Sequence, residues 1–205
     1  MKIAELREQL KGFLIFSLND IRKVEPKFYS PRLVEWQKKG YIKKIRRGYY
    51  SFSDQNIDEE TLFLIANRLY SPSYVSLESA LSHYGLIPEG VYSITSVSVR
   101  KTVSFQTPLA HFTYRHLKTS LHFGYRIDKL NGQGYKIAEM EKAVLDYLYL
   151  NPKITDDADY HEWRFNGREF TANMDEDKLR RYATEFGNRR LMNRLEKLLK
   201  MIKTQ

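Results

Sequence analysis

Residues 17–52 read SLNDIRKVEPKFYSPRLVEWQKKGYIKKIRRGYYSF, and this stretch decides the fold of the N-terminal part. Ser17 followed three residues later by Asp20 has the spacing of a capping box. Leu18, Ile21 and Val24 then recur every three residues, which predicts a short helix closed by Pro26. Ser30 can cap a second helix, and Pro31, with no N–H and a fixed φ, suits its first position. That helix ends at Gly40. Leu33, Trp36 and Gly40 fall on one side of it, with Leu33 and Trp36 as core residues, leaving Arg32, Glu35, Lys38 and Lys39 facing outward. Residues 41–46 and 49–52 are two strand-like runs joined through Arg47-Gly48, the composition of a hairpin turn. The order predicts a winged helix-turn-helix: the second helix is the recognition helix, and the hairpin is a wing with a cationic tip.

Charge supports the same expectation. The formal net charge of +9 is uneven along the 205 residues. Residues 1–56 hold 13 Lys or Arg against 6 acids, a net +7; residues 57–177 hold 12 against 17, a net −5; residues 178–205 hold 9 against 2, again +7. Clustered cations at both ends point to a polyanion, because counterion release by Lys and Arg supplies most sequence-independent affinity for nucleic acid. With 42% hydrophobic and 14% aromatic residues the chain can bury a core and is not disordered. No run of about 18 apolar residues and no signal-peptide core occur, which points away from the membrane and to the cytoplasm. The absence of cysteine removes disulfides, cysteine zinc sites and thiol chemistry.

Residues 53–56 read as a polar linker. Residues 58–69 have acids first and Arg68 last, matching a helix dipole, and residues 76–84 read as a helix capped by Ser76 and stopped by Gly85. The period then changes. Residues 91–99, 110–116 and 122–127 read as antiparallel strands, with turns at Thr107-Pro108, near Thr119-Ser120 and at residues 131–134. A helix over 138–150 follows, then a less regular acidic stretch over 156–159 that leads to Trp163, then helices over 175–186 and 188–203. Leu191, Leu195, Leu198 and Ile202 form one stripe of the last. The fold class predicted is α+β, in two domains: residues 1–56 and 57–205.

Four ordered motifs cover nearly the whole chain: residues 39–50 (KGYIKKIRRGYY), 74–88 (YVSLESALSHYGLIP), 94–99 (ITSVSV) and 139–148 (EMEKAVLDYL). Together they resemble the AbiEi family, the antitoxins and transcriptional repressors of type IV toxin-antitoxin systems. The resemblance implies a winged helix that binds inverted repeats in duplex DNA of its own promoter. It also implies a C-terminal antitoxin domain that counteracts a nucleotidyltransferase-like toxin, usually without a stable complex. Neither enzymatic activity nor a cofactor is expected.

The residues expected at DNA are Ser30, Arg32, Glu35, Lys38 and Lys39 on the helix and Lys43, Lys44, Arg46, Arg47 and Tyr49 on the hairpin. Arg32, near the helix N-terminus, is the expected base reader, since Arg presents two donors to guanine; the hairpin cations are expected at phosphates. Arg180, Arg181, Arg189, Arg190 and Arg194 form a basic helical tail that either adds a second nucleic-acid contact or engages the toxin's substrate, with solvated helix faces as the plain alternative. Ser76, Ser79 and His83 share a helix but have no orienting acid, so catalysis is not expected. His111, His116 and His122 lack metal-ligand spacing, and residues 156–162 could form at most a loose cation site. Lys142 and Asp146, four apart, are either a surface ion pair or, if Asp146 faces inward, need a buried partner. The rival class is a winged-helix protein-interaction or ligand-sensing regulator without antitoxin activity.

Overall fold

The capping box at Ser17 forms as its spacing predicts, with Asp20 N donating to Ser17 Oγ (3.2 Å) and Ser17 N to Asp20 Oδ2 (2.8 Å). The structure, a computed structural model, describes residues 1–88, 93–155 and 157–203, with only the backbone at Asp157, Ala158 and His161. The expected strand start at Val91 and the acidic residue Asp156 lie outside the described residues.

The first segment builds α1 (Ile3–Gln9), β1 (Phe16–Ser17), α2 (Leu18–Val24), α3 (Arg32–Lys38), β2 (Ile42–Arg46) and β3 (Tyr49–Phe52). The strands form an antiparallel sheet in the order β1-β3-β2. Leu6 and Leu10 at the end of α1, Ile21 of α2 and Leu33 and Trp36 of α3 close over Phe16, Ile42 and Phe52. Helix α1 lies outside the expected elements, although Ile3, Leu6 and Leu10 have a helical spacing. Helix α3 starts at Arg32 rather than at Pro31. Pro31 sits at the cap in helical conformation without a side-chain cap bond, so its ring-fixed φ sets the first turn and not the hydroxyl of Ser30.

The remainder runs α4 (Glu59–Leu69), β4 (Ser73–Val75), α5 (Leu77–His83), β5 (Ser93–Ser98), β6 (Val103–Gln106), β7 (His111–His116), a 3-10 turn (Thr119–Leu121), β8 (Tyr125–Leu130), β9 (Gln133–Ala138), α6 (Met140–Leu150), α7 (Asp157–Glu162), α8 (Gly167–Asn173), α9 (Glu176–Glu185) and α10 (Arg189–Lys203). The fold is mixed α+β. Its larger sheet has the order β6-β7-β5-β4-β9-β8. This sheet is mixed, which corrects the all-antiparallel expectation: β5 pairs β7 in parallel and β4 touches β9 in parallel at Val75↔Ile137. The reason is β6, which turns back antiparallel along the outer side of β7 and so brings β7 in beside β5 with the same direction. The third expected strand shifts to Tyr125–Leu130, paired with β9 across an Asn131-Gly132 turn in which both φ are positive. The acidic stretch is helical from Asp157 to Glu162.

Residues 53–56 are not a free linker. Arg7 pairs with Asp54, Gln55 Nε2 donates to Phe13 O (2.9 Å), and Asp58 caps α4 by accepting from Thr61 N (2.8 Å). Leu14, Ile15 and Ile45 of the first segment are buried in the same core as α4, the larger sheet and α6. Arg68 Nη1 donates to Ile15 O (3.2 Å) and Arg46 Nη1 to Leu69 O (3.0 Å). The two segments therefore share a hydrophobic core at their junction.

Burial raises the phenol of Tyr74 well above its ordinary value, that of Tyr84 to about 12, and that of Tyr114 upward. An unfolded-chain phenol ionises near 10. Above that pH the unfolded state holds fewer protons than the native one, so stability falls as pH rises. Lys142, whose ammonium is pushed down by burial, acts oppositely, but only below its ordinary 10.5. We expect the urea midpoint to drop between about pH 10 and 12, with tyrosine ionisation followed by absorbance rising cooperatively with unfolding. A flat midpoint across that window would refute the burial of these phenols.

Candidate nucleic-acid interface

Helix α3 packs on β2, and both carry exposed residues. Leu33 and Trp36 anchor α3 inward, 4% and 6% exposed, and the helical period leaves Val34, Glu35 and Lys38 on the open side. On β2, Ile42 and Ile45 are buried while Lys43 and Lys44 between them are exposed; Arg47 follows at the turn with Gly48, whose φ of +85° suits a residue without Cβ. Lys38, Lys43, Lys44 and Arg47 are exposed and have no ion-pair partner among the described residues.

The other expected contacts are placed differently. Arg32 is half-buried and its Nη1 donates to Met1 O (2.6 Å), so part of its guanidinium is engaged within the protein. Glu35 and Lys39 pair at 2.7 Å; each stabilises the other's charge, holding the Glu35 carboxyl below and the Lys39 ammonium above its ordinary value. Arg46 points into the junction: besides its bond to Leu69 O, its guanidinium lies 3.6 Å from the centre of the Phe105 ring. That placement takes it out of the expected phosphate contacts, since a stacked guanidinium with a carbonyl partner is held by the fold. Tyr49 packs partly against the larger core, and Ser30 is exposed.

The C-terminal helices are not a tail. Leu191, Leu195 and Leu198 of α10 are fully or nearly fully buried, as their stripe predicts, and Ile202 lies against Gly167 of α8, where a Cβ would meet Ile202 Cγ1 at 2.8 Å. Arg194 is buried, which pushes its guanidinium pKa down, so it leaves the set of outward cations. Arg180 is bound to Glu176 (2.7 Å) and Glu196 (3.4 Å). Arg181, Arg189 and Arg190 remain exposed.

A buried polar cluster in the larger core is the feature that sequence spacing only half announces. Tyr74, Ser76, Lys142 and Asp146 are all without solvent exposure. Tyr74 Oη and Ser76 Oγ donate to Asp146 Oδ2 at 2.8 and 2.9 Å; Lys142 Nζ donates to Tyr74 Oη at 2.8 Å and to Asp146 Oδ1. The ammonium is also enclosed by the rings of Phe186, Phe123 and Tyr74, at 4.9, 5.1 and 5.4 Å. The hydroxyl of Ser76 is thus spent on Asp146 and makes no cap bond to α5, correcting the capping expectation. Asp146 faces inward, the second of the two readings of the Lys142–Asp146 spacing.

Ser76, Ser79 and His83 are not brought together. Ser79 exchanges hydrogen bonds with Thr95 (2.9 and 2.8 Å), and His83 Nδ1 lies 3.5 Å from Glu59 Oε2. Among the described residues no group of three His, Asp or Glu is placed to hold a metal ion, and no helix is long and apolar enough to cross a membrane. No protein-family model matches the chain, and no curated protein matches it in sequence.

Proposed function

We propose that this chain is a winged helix-turn-helix DNA-binding regulator that represses its own operon in the cytoplasm and serves as an AbiEi-like antitoxin against a nucleotidyltransferase-like toxin. The observation that carries the DNA-binding part is the set of unpaired cations, Lys38 on α3 and Lys43, Lys44 and Arg47 on the adjoining β2 hairpin. Cations free of internal partners release counterions at phosphates at no cost in broken ion pairs. The three-helix, three-stranded arrangement of residues 3–52 supports the same reading, because it leaves one side of α3 uncovered and Lys43, Lys44 and Arg47 exposed on the adjoining hairpin. The antitoxin part rests on the resemblance of the four sequence motifs.

The test uses the full chain, since the two segments share a core. The protein should retard the fragment upstream of its own gene in preference to unrelated DNA at moderate salt, and its co-expression should restore growth to cells expressing the adjacent toxin frame. Equal affinity for both fragments would remove sequence-specific repression. Failure to restore growth with the toxin under a foreign promoter would remove the antitoxin activity.

A further inference from the structure

Four of the five large hydrophobic residues that stand exposed among the described residues lie in the first 41: Val24, Tyr29, Val34 and Tyr41, with Ile127 the fifth. Val34 is the one carried on α3, where it is 54% exposed although its neighbours Leu33 and Trp36 are buried. A β-branched residue on the open face of a seven-residue helix stabilises neither the helix nor a core. On the open side of α3 it stands beside the Glu35–Lys39 ion pair and the unpaired Lys38. Lys38 lies one turn on, and Lys43, Lys44 and Arg47 follow on the hairpin that adjoins α3. Arg32, the residue with donors for a base edge, is held by Met1 O. What α3 offers outward beside its charges is therefore the pair of γ-methyls of Val34.

We infer that Val34 reads thymine, its γ-methyls packing against the C5 methyl groups that line the major groove, while Lys38, Lys43, Lys44 and Arg47 hold the flanking phosphates. The inference rests on the DNA-binding reading and adds to it the base that is recognised. Thymine is the only base that presents an apolar group in the major groove, so an apolar side chain there discriminates by burial rather than by hydrogen bonding. The flanking positive charge matches a polyanion and disfavours an apolar protein partner, which would leave these cations desolvated.

The discriminating probe is the upstream fragment amplified with deoxyuridine in place of thymidine, which deletes the methyls and leaves the hydrogen-bonding edges intact. Wild-type protein should bind this fragment about fourfold more weakly for each methyl contacted, the effect of one buried methyl group. V34A should bind both fragments alike, at about the affinity of wild type for the deoxyuridine fragment, and V34T should keep part of the difference. K38A should weaken both fragments by the same factor. Thermal melting of V34A should match wild type, because the side chain is outside both cores. Equal binding of the two fragments by wild type overturns the inference while leaving DNA binding intact. A change of self-association in V34A without any thymine dependence would assign the face to a second copy and also overturn it. No preference for the upstream fragment removes the DNA-binding reading and this inference together.

Discussion

Asp146→Ala should destabilise the protein by about 3–5 kcal/mol, the usual cost of removing one member of a buried ion pair. For a chain of this size that corresponds to a fall in Tm of roughly 6–20 °C. The substitution leaves the Lys142 ammonium fully buried with Tyr74 Oη as its remaining hydrogen-bond partner, and leaves the hydroxyls of Tyr74 and Ser76 without their acceptor. Aromatic faces at 4.9–5.4 Å offset only part of that loss. Lys142→Met should cost less, because the carboxylate keeps both donated hydroxyl bonds. The double variant Lys142→Met/Asp146→Leu should regain stability over Asp146→Ala, since matched apolar side chains remove both desolvation penalties. Thermal unfolding followed by circular dichroism distinguishes these cases. An Asp146→Ala protein that melts with wild type would contradict the enclosure of the pair, whatever the DNA-binding result.

Reversing the hairpin charges, Lys43→Glu/Lys44→Glu/Arg47→Glu, should weaken binding to the upstream fragment by about two orders of magnitude and flatten its salt dependence. If the chain binds DNA as proposed, the four unpaired cations, counting Lys38, should set a slope of log K against log salt near −0.9 for each phosphate they neutralise. Arg47→Ala should therefore reduce the slope by about one contact. Arg46→Ala should leave the slope unchanged and instead cost about 1.5–3 kcal/mol of stability, the range for a charged hydrogen bond, because its guanidinium bonds Leu69 O and covers Phe105. Titrations at several salt concentrations, paired with melting curves, separate the two residues. An Arg46→Ala protein of normal stability with a reduced slope would return Arg46 to the proposed DNA-binding face.

Local rules acting within a few residues determined much of this protein. The Ser17–Asp20 box, the inward Leu33 and Trp36, and the Leu191–Leu195–Leu198 stripe were all legible, because hydrogen-bond reach and helical period depend on spacing alone. Tertiary structure decided the rest. Whether Arg32 and Arg46 are free cannot follow from their spacing, since their partners are Met1 O, 31 residues away, and Leu69 O, 23 residues away. The parallel pairing of β5 with β7 depends on where β6 returns, which strand propensity does not encode. The Lys142–Asp146 spacing fits a solvated helix face as well as a buried pair. It became a buried pair because Tyr74 and Ser76, about 70 residues earlier, supply the hydroxyl donors that make a carboxylate tolerable in a core, while three aromatic rings enclose the ammonium.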